Sequence, residues 1–509
     1  MKSGHARWLV AACFAGLICA AVLTAAQAYS ALSERKVTYR HVSEALTHAP
    51  RYQTDMLWQT AAQPLSRPVR PADEKVIGEA LEKAWRAHAA ATATGRVDFL
   101  PDFFVGAALE RATSSARDGY RQNTRMVLLP HRAQPLLFHL DGSVMQVALS
   151  ARAVRFALGD TGLRRFSLSE DDFTTILVNE TTGWRIFSHE RQTTKQLPTH
   201  NVPYAGGPLA GINYYPALAP WRKFWPNFDP KVIEGDFGLI RDLGANSVRI
   251  FLTYDEFIDP DTAPKNLQNL TALLKIADET GLKVIPTLFD LKPNFDVSTW
   301  PNDVHFLANV LPVLRAAGNI AFVDIKNEPD LDIPNHAPGL IDAWLQTMIE
   351  VLRLDLPETP LTVGWSNAEA AEKSIGLLDV VTYHDYADPS MATERLTRLK
   401  GHAGDKPVMI TEIGATSWAL LAGFPGSPKF QASRLRDRLG ALAGSDGVFV
   451  WTLHDFPDPD VSAIGDSAWV RGLQSGFGLY ALGNRPKPAV DPVKAAFAAI
   501  TGPGGGAAR

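Results

Sequence analysis

Apolar and polar positions change rhythm twice along this chain. From residue 72 apolar side chains recur at helical spacing, at Ile77, Ala80, Leu81, Ala84 and Trp85, among good helix formers. A second helix is predicted over residues 98–112. Strand-like runs follow at 126–129, 135–139, 144–156 and 173–178, and Trp184 to Phe187 closes a hairpin. Helices first and a curved antiparallel sheet afterwards read as a small α+β domain over residues 72–195. From Gly206 strands alternate with helices, the mark of a parallel sheet. Eight strands are predicted, at 209–213, 247–251, 283–289, 320–326, 361–365, 380–384, 408–412 and 448–451. Helical segments separate them, for example 232–243, 267–279, 305–317, 340–354 and 432–442, and 488–500 would complete the outer ring. Eight βα units within residues 206–500 match an α/β fold of the (β/α)8 TIM barrel type in number and size.

The two ends follow other patterns. A basic start with Lys2 and Arg7 precedes an apolar run over residues 8–26, which predicts export. Ala26-Gln27-Ala28 fits a signal-peptide cleavage site, so residues 1–28 would leave a periplasmic or extracellular protein. The run is also nearly long enough to span a bilayer, and if retained it would anchor the chain to a membrane. A polar, proline-containing tether is expected at 29–71 and a frayed glycine-rich tail at 501–509.

Composition narrows the possibilities. At 509 residues the chain exceeds one ordinary core, and 46% apolar with 20% charged residues describes a globular protein. A net charge of −4 gives no footprint for nucleic acid. Both cysteines, Cys13 and Cys19, lie in the N-terminal apolar run, which leaves no disulfide framework and no thiolate metal site.

Candidate chemistry centres on residues 321–330, Ala-Phe-Val-Asp-Ile-Lys-Asn-Glu-Pro-Asp. The apolar run suits a buried strand, and Pro329 ends it abruptly, which puts Glu328 at a strand's carboxyl end. Parallel barrels place their chemistry there. The dipeptide alone proves nothing, because Asn179-Glu180 also follows an apolar run but reads as a hairpin turn. The other strand ends matter more: Asn213, Tyr214, Arg249, Asp290, Asn327, Trp365, Ser366, His384, Tyr386, Glu412 and Trp451. Each alone has an ordinary structural reading, yet eight topologically matching positions favour one shared site. Glu328 and Glu412, on the fourth and seventh strands, can face each other, as glycosidic cleavage by an acid and a carboxylate requires. Aromatic residues in the loops, Tyr215, Trp221, Trp225, Phe295, Trp300 and Trp418, could stack on sugar rings or anchor the loops. Asp455, Asp458 and Asp460 lack the spacing of a calcium loop and read as a solvated turn.

Asn327-Glu328-Pro329 and Thr411-Glu412-Ile413-Gly414 resemble the retaining glycoside hydrolases of clan A, most closely family 5, over residues 209–489. The resemblance implies that Glu328 is the general acid/base and Glu412 the nucleophile. It implies that Asn327 binds the sugar 2-hydroxyl, that Arg249 and Tyr386 orient Glu412, and that His384 and Trp451 bind sugar. It implies a β-linked glucan- or mannan-type poly- or oligosaccharide substrate and no cofactor or catalytic metal. Phe289-Asp290-Leu291 departs from the family's common histidine, which bears on the subfamily. Arg249 is expected to lower the pKa of Glu412, whose charge would then raise that of Glu328. The front part, with Gly183-Trp184-Arg185-Ile186 in its last strand, resembles the cone-shaped nuclear-transport-factor-2-like domains, which implies a packing or binding module. Two rivals stand beside the hydrolase: a barrel that binds carbohydrate without turnover, for instance in envelope polysaccharide assembly, and a front domain that is itself the working part.

Overall fold

The computed structural model describes residues 56–180, 183–197, 199–421 and 423–502. The expected export segment with its apolar run at 8–26, most of the tether, and residues 503–509 of the tail lie outside the described residues. Among the described residues no helix is long and apolar enough to cross a membrane.

The front part is built from helices α1 (Pro71–Thr94) and α2 (Gly106–Arg121) and one sheet of five strands in chain order: β1 (Leu57–Trp58), β2 (Thr124–Phe138), β3 (Val144–Gly159), β4 (Gly162–Glu180) and β5 (Gly183–Gln196). Strand β1 runs parallel to β2 and the rest are antiparallel. The helix expected at 98–112 is displaced along the chain. Pro101 lies in a single tight turn, Leu100–Asp102, and α2 starts afresh at Gly106, where φ is 55°. Ala108, Ala112 and Ala116, four residues apart, then form its buried stripe. Strand β4 begins eleven residues before the expected run, because Arg164, Arg165, Glu170, Asp171 and Asp172 hide its alternation. The Asn179-Glu180 pair is the hairpin turn that its context indicated, with Asn179 opposite Trp184 and Glu180 opposite Gly183.

The second part is a ring of eight parallel strands: β6 (Leu209–Asn213), β7 (Ser247–Thr253), β8 (Lys283–Asp290), β9 (Val323–Asn327), β10 (Leu361–Gly364), β11 (Val381–Asp385), β12 (Val408–Ile413) and β13 (Gly447–Trp451). Neighbours run β10-β9-β8-β7-β6-β13-β12-β11. A parallel bridge between Trp365 and Tyr383, with the His384 N–H donating to the Trp365 carbonyl at 2.7 Å, joins the two ends of that series. This is a (β/α)8 barrel, and its strands are buried on both faces because helices cover the outside. The long outer helices are α3 (Pro230–Asp242), α4 (Ala263–Glu279), α5 (Trp300–Ala316), α6 (Leu340–Asp355), α7 (Ala392–Ala403), α8 (Pro428–Ala441) and α9 (Val490–Thr501). Between β10 and β11 stand a five-residue helix, Ala368–Glu372, and a single tight turn, Ile375–Leu377, in place of a long helix.

Inside the ring, Leu209, Ile285, Phe322, Val380, Met409 and Phe449 form a separate apolar plug toward the amino ends of the strands. Gly211 is required beside it, since a Cβ there would stand 2.3 Å from the Phe449 ring. The plug leaves the carboxyl end for polar groups. The front sheet shares one apolar core with the barrel, and the Phe156 ring stacks on Trp300 of α5 at 5.2 Å. Arg152 adds a two-pronged pair to Asp355 at 2.9 and 2.8 Å.

Candidate active site

At the carboxyl end of the barrel the strand termini converge on Arg249. Its guanidinium is fully buried, and Nε and Nη2 donate to Asp324 Oδ2 at 3.1 and 2.6 Å. Nη1 donates to Asn213 Oδ1 at 2.9 Å and to Glu412 Oε2 at 3.4 Å, and Nη2 to Asn327 Oδ1 at 2.8 Å. Four strands are thus tied to one planar cation, the geometry a guanidinium suits and an ammonium does not. Asn213 is fixed further by donating Nδ2 to the Thr411 carbonyl at 2.9 Å, so it positions rather than faces the mouth. Asn327 is held through its oxygen alone, and among the described residues its Nδ2 makes no hydrogen bond.

The two glutamates meet through His384. Its Nδ1 lies 2.7 Å from Glu328 Oε1 and 3.8 Å from Glu412 Oε2. Those legs cap the separation of the two carboxylate oxygens at about 6.5 Å, at the close limit of the roughly 6.5–9.5 Å of inverting pairs and compatible with the roughly 5–5.5 Å of retaining ones. Tyr386, half exposed, donates its hydroxyl to Glu412 Oε1 at 2.7 Å. Glu328 itself has φ 46° and ψ 51°, a left-handed conformation that costs a side chain about 1–3 kcal/mol and clusters at functional sites. Its N–H donates to the Gly364 carbonyl at 2.7 Å, which holds the bend. Phe289 and Leu291, flanking Asp290, share that unusual φ at 51° and 55°.

The electrostatics reverse the expectation from sequence. Burial, helped by the charge of Glu328, carries Glu412 above the ordinary carboxyl value against the opposing pull of His384, Arg249 and Tyr386. Burial also pushes Glu328 up, but the hydrogen bond and charge of His384, with Arg249 and Lys326 behind, win and hold it below. Burial lowers His384, yet the charge of Glu412 and the bond and charge of Glu328 raise it above a free imidazole. The shifts of Glu328 and His384 share one cause, their close contact, which favours the charged form of each partner.

Not every expected residue reaches this mouth. Tyr214 turns outward: its hydroxyl donates to Asp236 Oδ2 of α3 at 2.9 Å, and His454 holds the other oxygen at 2.7 Å. Asp290 accepts from the Tyr215 hydroxyl at 3.0 Å, and burial raises its pKa against Lys326 and Arg249. Trp365 contributes its carbonyl to His384, and its buried indole N–H has no partner among the described residues. Trp451 donates Nε1 to Gln474 Oε1 at 3.1 Å and packs against Trp221 at 5.8 Å. Tyr215, Trp225, Phe295 and Trp300 are buried loop anchors, not open sugar platforms, and Trp418 alone of the remaining pair is partly open. Of the aspartates after β13, Asp455 takes Lys487 at 2.7 Å, Asp458 takes Lys223 at 2.7 Å and Asp460 caps the Ser462 N–H at 3.0 Å. Asp324 was missed, although a charge in the middle of an apolar strand was its signal. It also accepts from Thr287 Oγ1 at 3.0 Å and the Gly364 N–H at 2.8 Å.

No family model matches the chain, and no curated protein does. Solved structures do. GH5_18 from Streptomyces cattleya in complex with GlcNAc is 19% identical at a TM-score of 0.49, covering 58% of this chain and 81% of that one. The exo-β-1,4-mannosidase Op5Man5 from Opitutaceae bacterium strain TAV5 is 22% identical at 0.49, covering 59% and 61%. GH2 β-galacturonidase from Eisenbergiella tayi bound to galacturonate is 16% identical at 0.43, covering 73% and 71%. All three lie below a TM-score of 0.5, and the functional reading rests on the site alone.

Proposed function

We propose that the chain is a β-glycosidase acting by double displacement on β-linked glucan- or mannan-type saccharides. The observation that carries the reading is His384 Nδ1 standing within 2.7 and 3.8 Å of two carboxylates at the ends of β9 and β12. In the first step Glu412 Oε attacks the anomeric carbon, the C–O bond to the leaving group breaks, and the leaving oxygen takes the proton held on the His384–Glu328 bond. In the second step Glu328 accepts a proton from water as that water attacks the same carbon and releases Glu412. Arg249 and Tyr386 support the carboxylate of Glu412, and the unbonded Nδ2 of Asn327 is placed to donate to a sugar hydroxyl. The oxygen separation favours retention of anomeric configuration.

Glu412→Ala and Glu328→Ala test this directly. Each is expected to remove at least about 100- to 10,000-fold of turnover, and azide should partly restore Glu328→Ala on a substrate with a good leaving group. Proton NMR of the first-formed product should show the β-anomer. Wild-type rates in either variant would refute the roles, and an α-anomer would refute retention alone.

A further inference from the structure

We propose that the front part acts on the catalytic site: Arg86 of α1 and Phe156 of β3 are positioning residues that hold the surroundings of Glu328 through the loops after β8 and β9. The inference rests on the glycosidase reading and gives the front part a task in that reaction. The first route runs through Trp300, which opens α5. Its buried ring stacks on Phe156 at 5.2 Å, and its Nε1 donates to the Phe295 carbonyl at 3.0 Å. Arg86, only 5% exposed, grips the chain on both sides of Trp300: Nη1 donates to the Ser298 carbonyl at 3.3 Å and Nη2 to Asn302 Oδ1. Its Nε donates to Glu82 Oε1 of the same helix at 2.8 Å, which sets the direction of the fork. Phe295, fixed at its carbonyl, presents its ring to Lys326, whose Nζ stands 5.8 Å from the centroid, and meets His336 edge-on at 5.3 Å.

The second route runs through the start of β4. Gly339 caps α6 at the end of the loop that Glu328 begins; its φ is 78°, and a Cβ there would stand 2.3 Å from the Leu163 nitrogen. The front sheet is thus seated directly on that loop. Within the loop His336 Nδ1 lies 2.9 Å from the Asp332 carbonyl, and Asp332 Oδ2 pairs with Lys326 Nζ at 3.2 Å. Both routes end on Lys326, which lies in β9 two residues before Glu328. Burial raises Glu328 and His384 chiefly lowers it, with Lys326 among the charges that help. The two side chains that touch the Lys326 ammonium, Phe295 and Asp332, lie one on each loop, so a shift of either loop moves this charge relative to the acid. A seam that served only to hide apolar area would not need a buried cation, which is costly to desolvate. The fixed fork of a guanidinium sets direction as well as distance.

The test is the ratio of kcat/KM for nitrophenyl and methyl β-glycosides, as glucosides and as mannosides, in the full-length wild type and in Arg86→Met, Arg86→Lys and Phe156→Leu. A nitrophenyl group leaves with little acid help, whereas a methyl group needs it. Any unfolded fraction cancels in the ratio, so lost stability alone leaves it unchanged. A misplacement of 1 Å costs about 100-fold, and a fraction of that should lower the methyl rate about 10-fold and raise the ratio by the same factor. Arg86→Lys keeps the charge without the fork and should follow Arg86→Met. In a Lys326→Met background the Arg86→Met change should add nothing to the ratio, since both act at one place. A wild-type ratio in the Arg86 variants, or an effect that persists in full beside Lys326→Met, overturns the proposal. Should no glycoside turn over, the glycosidase reading fails, and hydrogen exchange judges the brace by itself: faster exchange of residues 291–302 and 329–339 in Arg86→Met supports it, and unchanged protection there refutes it.

Discussion

Replacing His384 by glutamine tests where the catalytic proton is kept. In the wild-type site Glu328 is held below the ordinary carboxyl value and His384 above the roughly 6.5 of a free imidazole. Between those limits the pair carries one proton, and kcat/KM should fall as pH rises through the raised value of His384. The other limb belongs to Glu412, which must ionise. Burial raises it, so activity should fall as pH drops toward a point above the ordinary carboxyl range. Glutamine carries no proton, so the alkaline limb must move down to the titration of Glu328 alone. It also removes a positive charge 3.8 Å from Glu412, an attraction of ~4 kcal/mol at an effective dielectric of about 20. The acid limb therefore moves up, and the profile narrows from both sides. At pH 7 an unactivated glycoside should lose about 10- to 100-fold in kcat/KM for each limb displaced by one to two pH units. A nitrophenyl glycoside, which needs little acid help, should lose less. A variant whose profile keeps both limbs and is merely scaled would make His384 a packing residue and refute the reasoning.

Three further changes probe the supports. Asp324→Asn strips the buried partner of Arg249 and should lower unfolding free energy by about 3–5 kcal/mol in urea titration while turnover collapses; a wild-type midpoint would show that Arg249 is balanced otherwise. Tyr386→Phe removes a hydrogen bond to the charged form of Glu412, about 1.5–3 kcal/mol, so the acid limb should shift to higher pH and kcat/KM fall about 10- to 100-fold; an unmoved limb would contradict it. Trp300→Ala, which empties the ring stacked on Phe156, should cost about 3–5 kcal/mol of stability; a loss under about 1 kcal/mol would mean the two parts do not stabilise each other there.

Most of the barrel was legible because its strands are short apolar runs closed by helices of regular period, and the eight expected runs overlap the eight strands found. The candidate site was legible where an unusual polar residue closes a strand, as at Glu328, His384 and Glu412, and at Arg249, a lone charge inside the apolar run of β7. It was illegible where the informative residue sits one pleat inside the strand. Asp324 lies three residues before Asn327 and looks like noise in an apolar run until the guanidinium it neutralises is placed beside it. Tyr214 misled for the opposite reason: strand-end position alone does not say whether a side chain turns into the ring or out toward α3. The loop aromatics misled because the same rings serve as platforms and as wedges, and burial separates the two only in three dimensions.

The reversed electrostatics follow from that missed aspartate. Sequence reasoning gave Arg249 a full positive charge beside Glu412. In the structure both Nε and Nη2 are committed to Asp324 Oδ2, within 3.1 Å, while Glu412 receives only Nη1 at 3.4 Å. Much of the cation's field is thereby cancelled before it reaches Glu412, and burial prevails there. Glu328 faces His384 directly at 2.7 Å, with no competing anion closer to that Nδ1. The structural charge and the catalytic one are thus divided: Arg249 with Asp324 fixes the strands, and His384 tunes the acid. On this division Asp324→Asn frees the guanidinium to act on Glu412 and should lower the acid limb of whatever activity survives, opposite in sign to the upward shift expected from Tyr386→Phe. Parallel shifts in the two variants would show that Arg249 and Asp324 do not screen each other, and the separation of roles would be lost.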